Sequence, residues 1–229
     1  MTDNITYYPD IEQGSDEWLA LRCGMITASN MRLIMTPTFK IANNDKMRAH
    51  LYELLAQRIT KYVEPNYISD DMLRGIADED DARKLYAKEY YPVETVGFVV
   101  NRSLGFPIGY SPDGLVGDYG LIEIKSRRAK YQIETIIGQK MPVDYLLQVQ
   151  TGIWVTQRKW LDFISYSGGL PMMTVRVYPD TYYQEAIINA ASNFERQLVT
   201  MMDKYAESLV SAHARFMATE RRVEQEMRI

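Results

Sequence analysis

At 229 residues, 46% hydrophobic and 24% charged, the chain is long enough to bury one substantial core, and its formal charge of −4 excludes a protein that coats nucleic acid by bulk charge. A single cysteine, Cys23, excludes an internal disulfide framework, a four-cysteine zinc site and an iron–sulfur cluster held by the chain's own thiolates. No apolar run reaches the length of a membrane span, and residues 1–4 lack the basic and apolar regions of a signal peptide, so the expectation is a cytoplasmic protein with no membrane partner.

Ser15, Asp16 and Glu17 form a helix start, a capping hydroxyl followed by acids that suit the positive end of the dipole, and Gly24 suits its end. Thr27 and Ser29 then stand before a second helical stretch over residues 30–35. Hydroxyls at a helix N-terminus beside a guanidinium, here Arg22, suit a phosphate. On these residues alone, however, Ser29 as a simple cap and Arg22 as a surface charge are the plainer account. Residues 45–62 repeat apolar positions at helical spacing through Met47, Leu51, Leu54, Leu55 and Ile59, and Pro65 stops the run. Ser69 suits the cap of a further helix to about residue 91, which carries the acidic run Asp78, Glu79, Asp80 and Asp81. Such a run is usually a solvated face, but it covers a whole turn, so at least one acid faces what lies beneath; Glu79, three residues from both Ile76 and Ala82, is the candidate.

Residues 93–101 and 106–110 are strand-like, and residues 110–125 read as a β-hairpin turning at Gly117, Asp118 and Gly120. Strand alternation sends Glu123 and Lys125 to one face and Ile122 and Ile124 to the other. Pairing across the hairpin brings Asp113 beside Glu123, which makes a site for a hard divalent cation with an ammonium next to it, suited to metal-assisted hydrolysis of a phosphodiester. An ordinary charged strand face after a Pro-Asp-Gly turn would show the same spacing. Arg127, Arg128 and Lys130 follow and lead into a helix over residues 129–137; a second helix over residues 143–155 carries Gln148 and Gln150. Two more strands, residues 160–167 and 172–178, precede a long helix from Asp180 whose apolar positions are Ile187, Ala190, Phe194, Leu198, Met201, Tyr205 and Leu209. His50 and His213 are far apart and are read as structural. The pattern predicts an α/β or α+β domain over residues 1–229, with a central mixed sheet of about five strands, a core over about residues 13–178 and a C-terminal helix over about residues 180–229.

Several short blocks, taken together and in order, resemble the phage lambda exonuclease family of the PD-(D/E)xK nuclease superfamily. They are Gln13-Gly14-Ser15-Asp16-Glu17-Trp18 with Leu21-Arg22, Ile26-Thr27-Ala28-Ser29, Gly75 with Glu79 and Asp81-Ala82-Arg83, Ser111-Pro112-Asp113-Gly114-Leu115, Glu123-Ile124-Lys125, and Gln148-Val149-Gln150 with Trp154-Val155-Thr156. The resemblance implies a restriction-endonuclease-like core and specific roles. Asp113, Glu123 and the backbone carbonyl of Ile124 would hold two Mg2+ ions, with Mn2+ as a substitute and Glu79 assisting through water, while Lys125 would orient or deprotonate the attacking water. Arg22, Ser29, Ser111, Thr27 and Gln150 would bind the 5′-phosphate, and Gln148 would place the scissile region. It further implies a homotrimeric ring around double-stranded DNA ends, 5′→3′ digestion that leaves 3′ single strands, a single-strand annealing protein as partner and, for a phage-encoded chain, the host bacterial cytoplasm. A restriction-type endonuclease on the same fold and a DNA-end-binding scaffold without catalysis are the competing readings; Met72 or Leu73 is the candidate for splitting the duplex. One departure is that Ser126 and Arg127 follow the lysine where a well-known member of the family has cysteine and proline.

Overall fold

The hairpin forms as the alternation predicts, and the other elements are arranged around it. In the computed structural model, which describes residues 4–64, 70–211 and 213–221, Gly114–Val116 (β5) pairs antiparallel with Gly120–Ser126 (β6), with Gly114 opposite Ile122. Beyond β6 lie Trp160–Tyr166 (β7), parallel to it, and Met173–Val177 (β8), antiparallel to β7. This mixed sheet is not the whole β structure. Ile5–Tyr8 (β1), Phe98–Asn101 (β3), Ile108–Tyr110 (β4) and Ile26–Thr27 (β2) make a second four-stranded sheet in the order β1-β3-β4-β2. The expected single sheet of about five strands is thus two sheets, because Ser111-Pro112-Asp113 interrupts the run between β4 and β5 and proline supplies no ladder N–H. A lone bridge between Glu94 and Leu115 links the segment before β3 to β5.

Helices set the site residues against these sheets. Asp16–Arg22 (α1) is capped by Ser15, whose side chain accepts from the Trp18 N–H. Ser29 is not a cap: it lies inside the short 3-10 turn Ala28–Asn30, and Met31–Ile34 (α2) follows Asn30. Asp45–Thr60 (α3) starts at Asn44, and on it His50 is buried against Phe194 with Nδ1 2.8 Å from Glu53, as its structural reading expects. Asp70–Glu89 (α4) lies over the sheet of β5 to β8, where Ala82 and Tyr86 pack with Val116, Ile122, Ile124 and Ile164. Ser69, the expected cap of α4, and the Met72 side chain lie outside the described residues, whereas Leu73 is exposed.

Ala129–Gly138 (α5) follows β6, and Leu146–Thr156 (α6) packs against both sheets, touching β3, β4 and β7. Close approach at one point depends on Gly152, where a Cβ would meet the Tyr110 ring at 2.7 Å. Thr181–Leu209 (α7) buries Ile187, Ala190, Phe194 and Leu198, but the apolar face runs out, leaving Tyr205 and Leu209 exposed. The helix ends there rather than continuing towards residue 229; the described residues 213–221 carry no helix, since that charged stretch offers no apolar stripe to bury. No described helix is long and apolar enough to cross a membrane.

Candidate active site

Register carries the acidic half of the site. With Gly114 opposite Ile122, Asp113 falls opposite Glu123, and the Asp113 Oδ2 accepts from the Ile124 N–H at 2.5 Å. Glu123 is 1% exposed, a buried carboxylate that must be paired, and three donors meet it. Oε2 accepts from the Tyr110 hydroxyl at 2.7 Å, while Oε1 accepts from Gln148 at 2.5 Å and from the Lys125 ammonium at 2.6 Å. Glu79 enters from α4, paired with Arg83 one turn later, and the Arg83 Nε donates to the Asp113 carbonyl at 2.8 Å. Arg83 therefore ties the helical carboxylate to the hairpin. Ser126 adds a second tie from β6 to α4, its hydroxyl 2.5 Å from Asp78.

These carboxylates disturb each other. Burial first, then Glu123 and Glu79, push the Asp113 carboxyl well above the ordinary aspartate range. Burial also raises Glu79, with Arg83 opposing and Glu123 reinforcing. For Lys125 burial acts against the ammonium, but Glu123 and Asp113 outweigh it and hold the group above the usual lysine value. In this state Lys125 is a proton donor, not a base. Among the described residues no group of three carboxylates forms a ready metal cage, and both Glu123 oxygens, Asp113 Oδ2 and Glu79 Oε1 already have protein partners.

The other half is cationic. Arg22, in the last turn of α1, stacks on the Trp18 ring at 3.7 Å and lies 5.9 Å from the Phe98 ring. Burial lowers its pKa to about 10, and no hydrogen bond or ion pair from a described residue reaches the guanidinium. The surface-charge account of Arg22 is thereby set aside. Hydroxyls accompany it: Thr27 and Ser29 lie 3.3 Å apart, and Ser111 accepts from the Trp18 indole N–H at 3.0 Å. Gln13 fixes the chain beside Ser111 by donating to the Pro112 carbonyl at 3.1 Å.

A single cavity of about 1070 Å3 joins the two halves, lined by Arg22, Thr27, Ser29 and Ser111 and by Glu79, Asp113, Glu123, Ile124, Lys125 and Gln148. Gln150 is the exception. It is 1% exposed, donates to the Tyr178 carbonyl at 2.9 Å and accepts from the Asp180 N–H at 3.0 Å, so both amide atoms hold the start of α7 instead of a phosphate. Tyr110, Arg83 and Trp18 hold the site together, and the sequence reading gave none of them a role. Trp18 and Arg83 lie in the quoted blocks, but the partners that tie them to the hairpin, Ser111 and the Asp113 carbonyl, come from a distant segment.

A model of the YqaJ-like viral recombinase domain matches residues 17–159. The alkaline exonuclease LHK-Exo from Laribacter hongkongensis is 33% identical, with 85% of this chain and 97% of that chain aligned at a TM-score of 0.76; its complex with dAMP matches equally. A phage-related exonuclease from Haemophilus somnus 129PT shares the fold, with a TM-score of 0.54 at 14% identity over 78% of this chain and 96% of that one. No curated protein shows significant similarity to the chain.

Proposed function

From the premise that the chain belongs to the YqaJ-like viral recombinase family, we propose that it is a metal-dependent nuclease that digests the 5′-ended strand of linear double-stranded DNA. One observation carries this reading: a desolvated guanidinium with no anionic partner among the described residues and a crowded set of carboxylates face the same cavity. Arg22 with Ser29, Thr27 and Ser111 supplies charge-assisted donors for a terminal phosphate. Holding that phosphate fixes which downstream bond lies beside Lys125, and such positioning is a large part of phosphoryl-transfer catalysis. The complex of LHK-Exo with dAMP, a nucleotide carrying one phosphate, is in keeping with this chemistry.

The donors at the acidic end fit a hard cation, being carboxylate oxygens with no histidine or thiol among them. Asp113 and Glu123 would hold Mg2+, with Mn2+ as a substitute, the Ile124 carbonyl as a further ligand and Glu79 assisting through water. Bound there, metal ions supply an activated water and stabilise the leaving 3′-oxygen. Lys125, as an ammonium, orients the nucleophile and offers charge to the reacting phosphate; Tyr110 and Gln148 hold Glu123 in place. The same reading includes a homotrimeric ring around DNA, a single-strand annealing protein as partner and action in a bacterial cytoplasm.

Linear duplex labelled at either end, with 5′-phosphate or 5′-hydroxyl termini, tests the proposal. Mononucleotides should leave the 5′-ended strand first and faster from phosphorylated ends, and Lys125→Ala should stop cleavage while retaining DNA binding. Cutting of closed circular DNA would favour the endonuclease reading; DNA-end binding with no nucleotide release in Mg2+ would favour the scaffold. A monomer by light scattering would remove the ring.

A further inference from the structure

Glu123, Lys125 and Arg127 follow one another at two-residue steps, and the last has no part in the site described above. The ladder runs on past β6 because the Arg127 N–H donates to the Tyr166 carbonyl at 2.7 Å, which keeps the alternation in step for one more residue. A proline at this position, as in the family member compared above, would supply neither that N–H nor a side chain of this reach. The guanidinium carbon lies 5.3 Å from the centre of the Tyr131 ring and 5.5 Å from that of Tyr145, and the group donates to the Tyr145 hydroxyl at 2.8 Å. Among the described residues no carboxylate pairs with Arg127, and its Nε is buried without a partner.

Tyr145 connects that cation to the active site. It ends the turn Val143–Tyr145 and stands three residues before Gln148, so one helical turn brings both side chains to β6. Gln148 donates to Glu123 Oε1 at 2.5 Å, the oxygen that also binds the Lys125 ammonium at 2.6 Å. The centre of the Tyr145 ring is 5.6 Å from that ammonium. The ring leans on Phe163, the β7 residue paired with Glu123, with centroids 5.3 Å apart. It also borders a cavity of about 480 Å3, which Lys125 and Asp144 line as well. A ring beside open space is not held by packing on that side; its angle depends on its hydroxyl, whose partner among the described residues is Arg127.

We infer that Tyr145, fixed by Arg127, is a positioning residue for Lys125, keeping the ammonium in the active-site cavity when Glu123 turns to a metal ion. The inference rests on the exonuclease reading. Without metal, Glu123 supplies the counter-charge of Lys125. A carboxylate committed to a divalent cation holds an ammonium less strongly, and the cation itself repels it. Lys125 could then turn into the second cavity, where Asp144 offers another carboxylate. The face of the Tyr145 ring opposes this, since it attracts an ammonium through its quadrupole and leaves the N–H donors available to water and phosphate. Arg127 acts twice: its bond sets the angle of the ring, and its charge, two residues along the same strand face, opposes movement of the ammonium away from Glu123.

Steady-state cleavage of 5′-phosphorylated duplex in Mg2+ tests this. Tyr145→Leu should lower kcat about five- to thirty-fold, the worth of a largely desolvated cation–π contact, with KM for DNA little changed. Tyr145→Phe keeps the ring but loses the bond and should lose less, and Arg127→Met should match it. The double variant Tyr145→Phe/Arg127→Met should lose no more than either alone, because one link is broken twice. Arg127→Gln, a neutral donor to the hydroxyl, should recover most of the rate. Should Tyr145→Leu fail to fold, Tyr145→Phe and the Arg127 variants carry the same test. A second readout needs no cleavage: with acetic anhydride in Mg2+, labelling of Lys125 relative to the exposed Lys84, read by mass spectrometry, should rise several-fold in Tyr145→Leu and Arg127→Met and return to the wild-type ratio in Arg127→Gln. An unchanged kcat in Tyr145→Leu, additive losses in the double variant, or unaltered labelling would each overturn the inference. So would equal losses in Arg127→Gln and Arg127→Met carried by KM and by a weaker salt dependence, which would make Arg127 a contact to the DNA backbone. Labelling that follows Tyr145 and Arg127 in a protein that releases no nucleotides would support the positioning of Lys125 and remove the exonuclease reading instead.

Discussion

Replacing Arg22 with methionine should stabilise the free protein while disabling it. The guanidinium is buried against Trp18 with no carboxylate from the described residues, and its pKa falls to about 10. At about 1.4 kcal/mol per pH unit, holding it ionised near neutrality costs about 3 kcal/mol. Partial access to the cavity and the cation–π contact with Trp18, itself about 1 kcal/mol, reduce the net penalty to roughly 1–2 kcal/mol. Methionine keeps the contact with the indole and carries no charge, so the melting temperature should rise by roughly 2–8 °C. The sign follows from a base whose pKa is lower folded than unfolded: the penalty is complete below about pH 10 and fades only above it. The gain should therefore stay constant between about pH 6 and 9 in calorimetry. The same variant loses the charge-assisted phosphate contact, worth about 1.5–3 kcal/mol, so cleavage of 5′-phosphorylated ends should fall roughly 10- to 150-fold and approach that of hydroxyl ends. A variant that melts lower than wild type would show that the buried cation is not a liability. One that keeps its phosphate preference would show that Arg22 is not the anchor.

Asp113→Asn removes one of the mutually repelling carboxylates, so the metal-free protein should gain on the order of 1 kcal/mol, and the rise in melting temperature that Mg2+ gives the wild type should nearly vanish; an unchanged response to Mg2+ would take Asp113 out of the donor set. Asp78→Ala breaks the bond to Ser126 that ties α4 to β6 and should cost about 1–2 kcal/mol in urea melts and slow cleavage. Asp78→Asn, whose carbonyl still accepts from the Ser126 hydroxyl, should restore most of both, and an alanine variant indistinguishable from wild type would count against the tie. Gln150→Ala leaves the Tyr178 carbonyl and Asp180 N–H without partners and should cost about 2–3 kcal/mol with the preference for phosphorylated ends unchanged. A changed preference would return Gln150 to the phosphate pocket.

What could be read from the sequence depended on how local the determinant was. Asp113, Glu123 and Lys125 were legible because a two-residue alternation and a short turn place them together. Glu79 was legible as one face of a helical turn, but Arg83, which holds it, was not assigned. Gln148 and Gln150 looked equivalent in the motif, yet two residues along a helix point about 200° apart, so one faces the cavity and the other α7. Tyr110 acquires its role from Gly152, more than forty residues away, which lets α6 approach the ring. The strand Ile26–Thr27, only two residues long, has no period to detect, and the division into two sheets follows from a pairing partner, Ile108, that sequence pattern does not name. On its own neighbours in sequence Arg22 reads as a surface charge; the family resemblance assigns it to the phosphate, and the Trp18 and Phe98 rings around it are what the pattern does not show.

On the proposed function, polarity of digestion would rest on how charge is left unbalanced across the active-site cavity. At one end Arg22 has no anion among the described residues, and at the other the carboxylates outnumber Lys125 and Arg83, the cations that directly pair with them. A terminal 5′-phosphate neutralises the first and a divalent cation the second, so a phosphorylated strand end with metal completes both halves at once. A 3′-hydroxyl end brings no terminal phosphate to Arg22 and leaves that half unsatisfied. The proposed function would thus distinguish the ends by the energy of a guanidinium with no anion among the described residues rather than by a shape that excludes one of them. Raising inorganic phosphate should then compete selectively with 5′-phosphorylated ends, and in the Arg22→Met protein that competition should disappear.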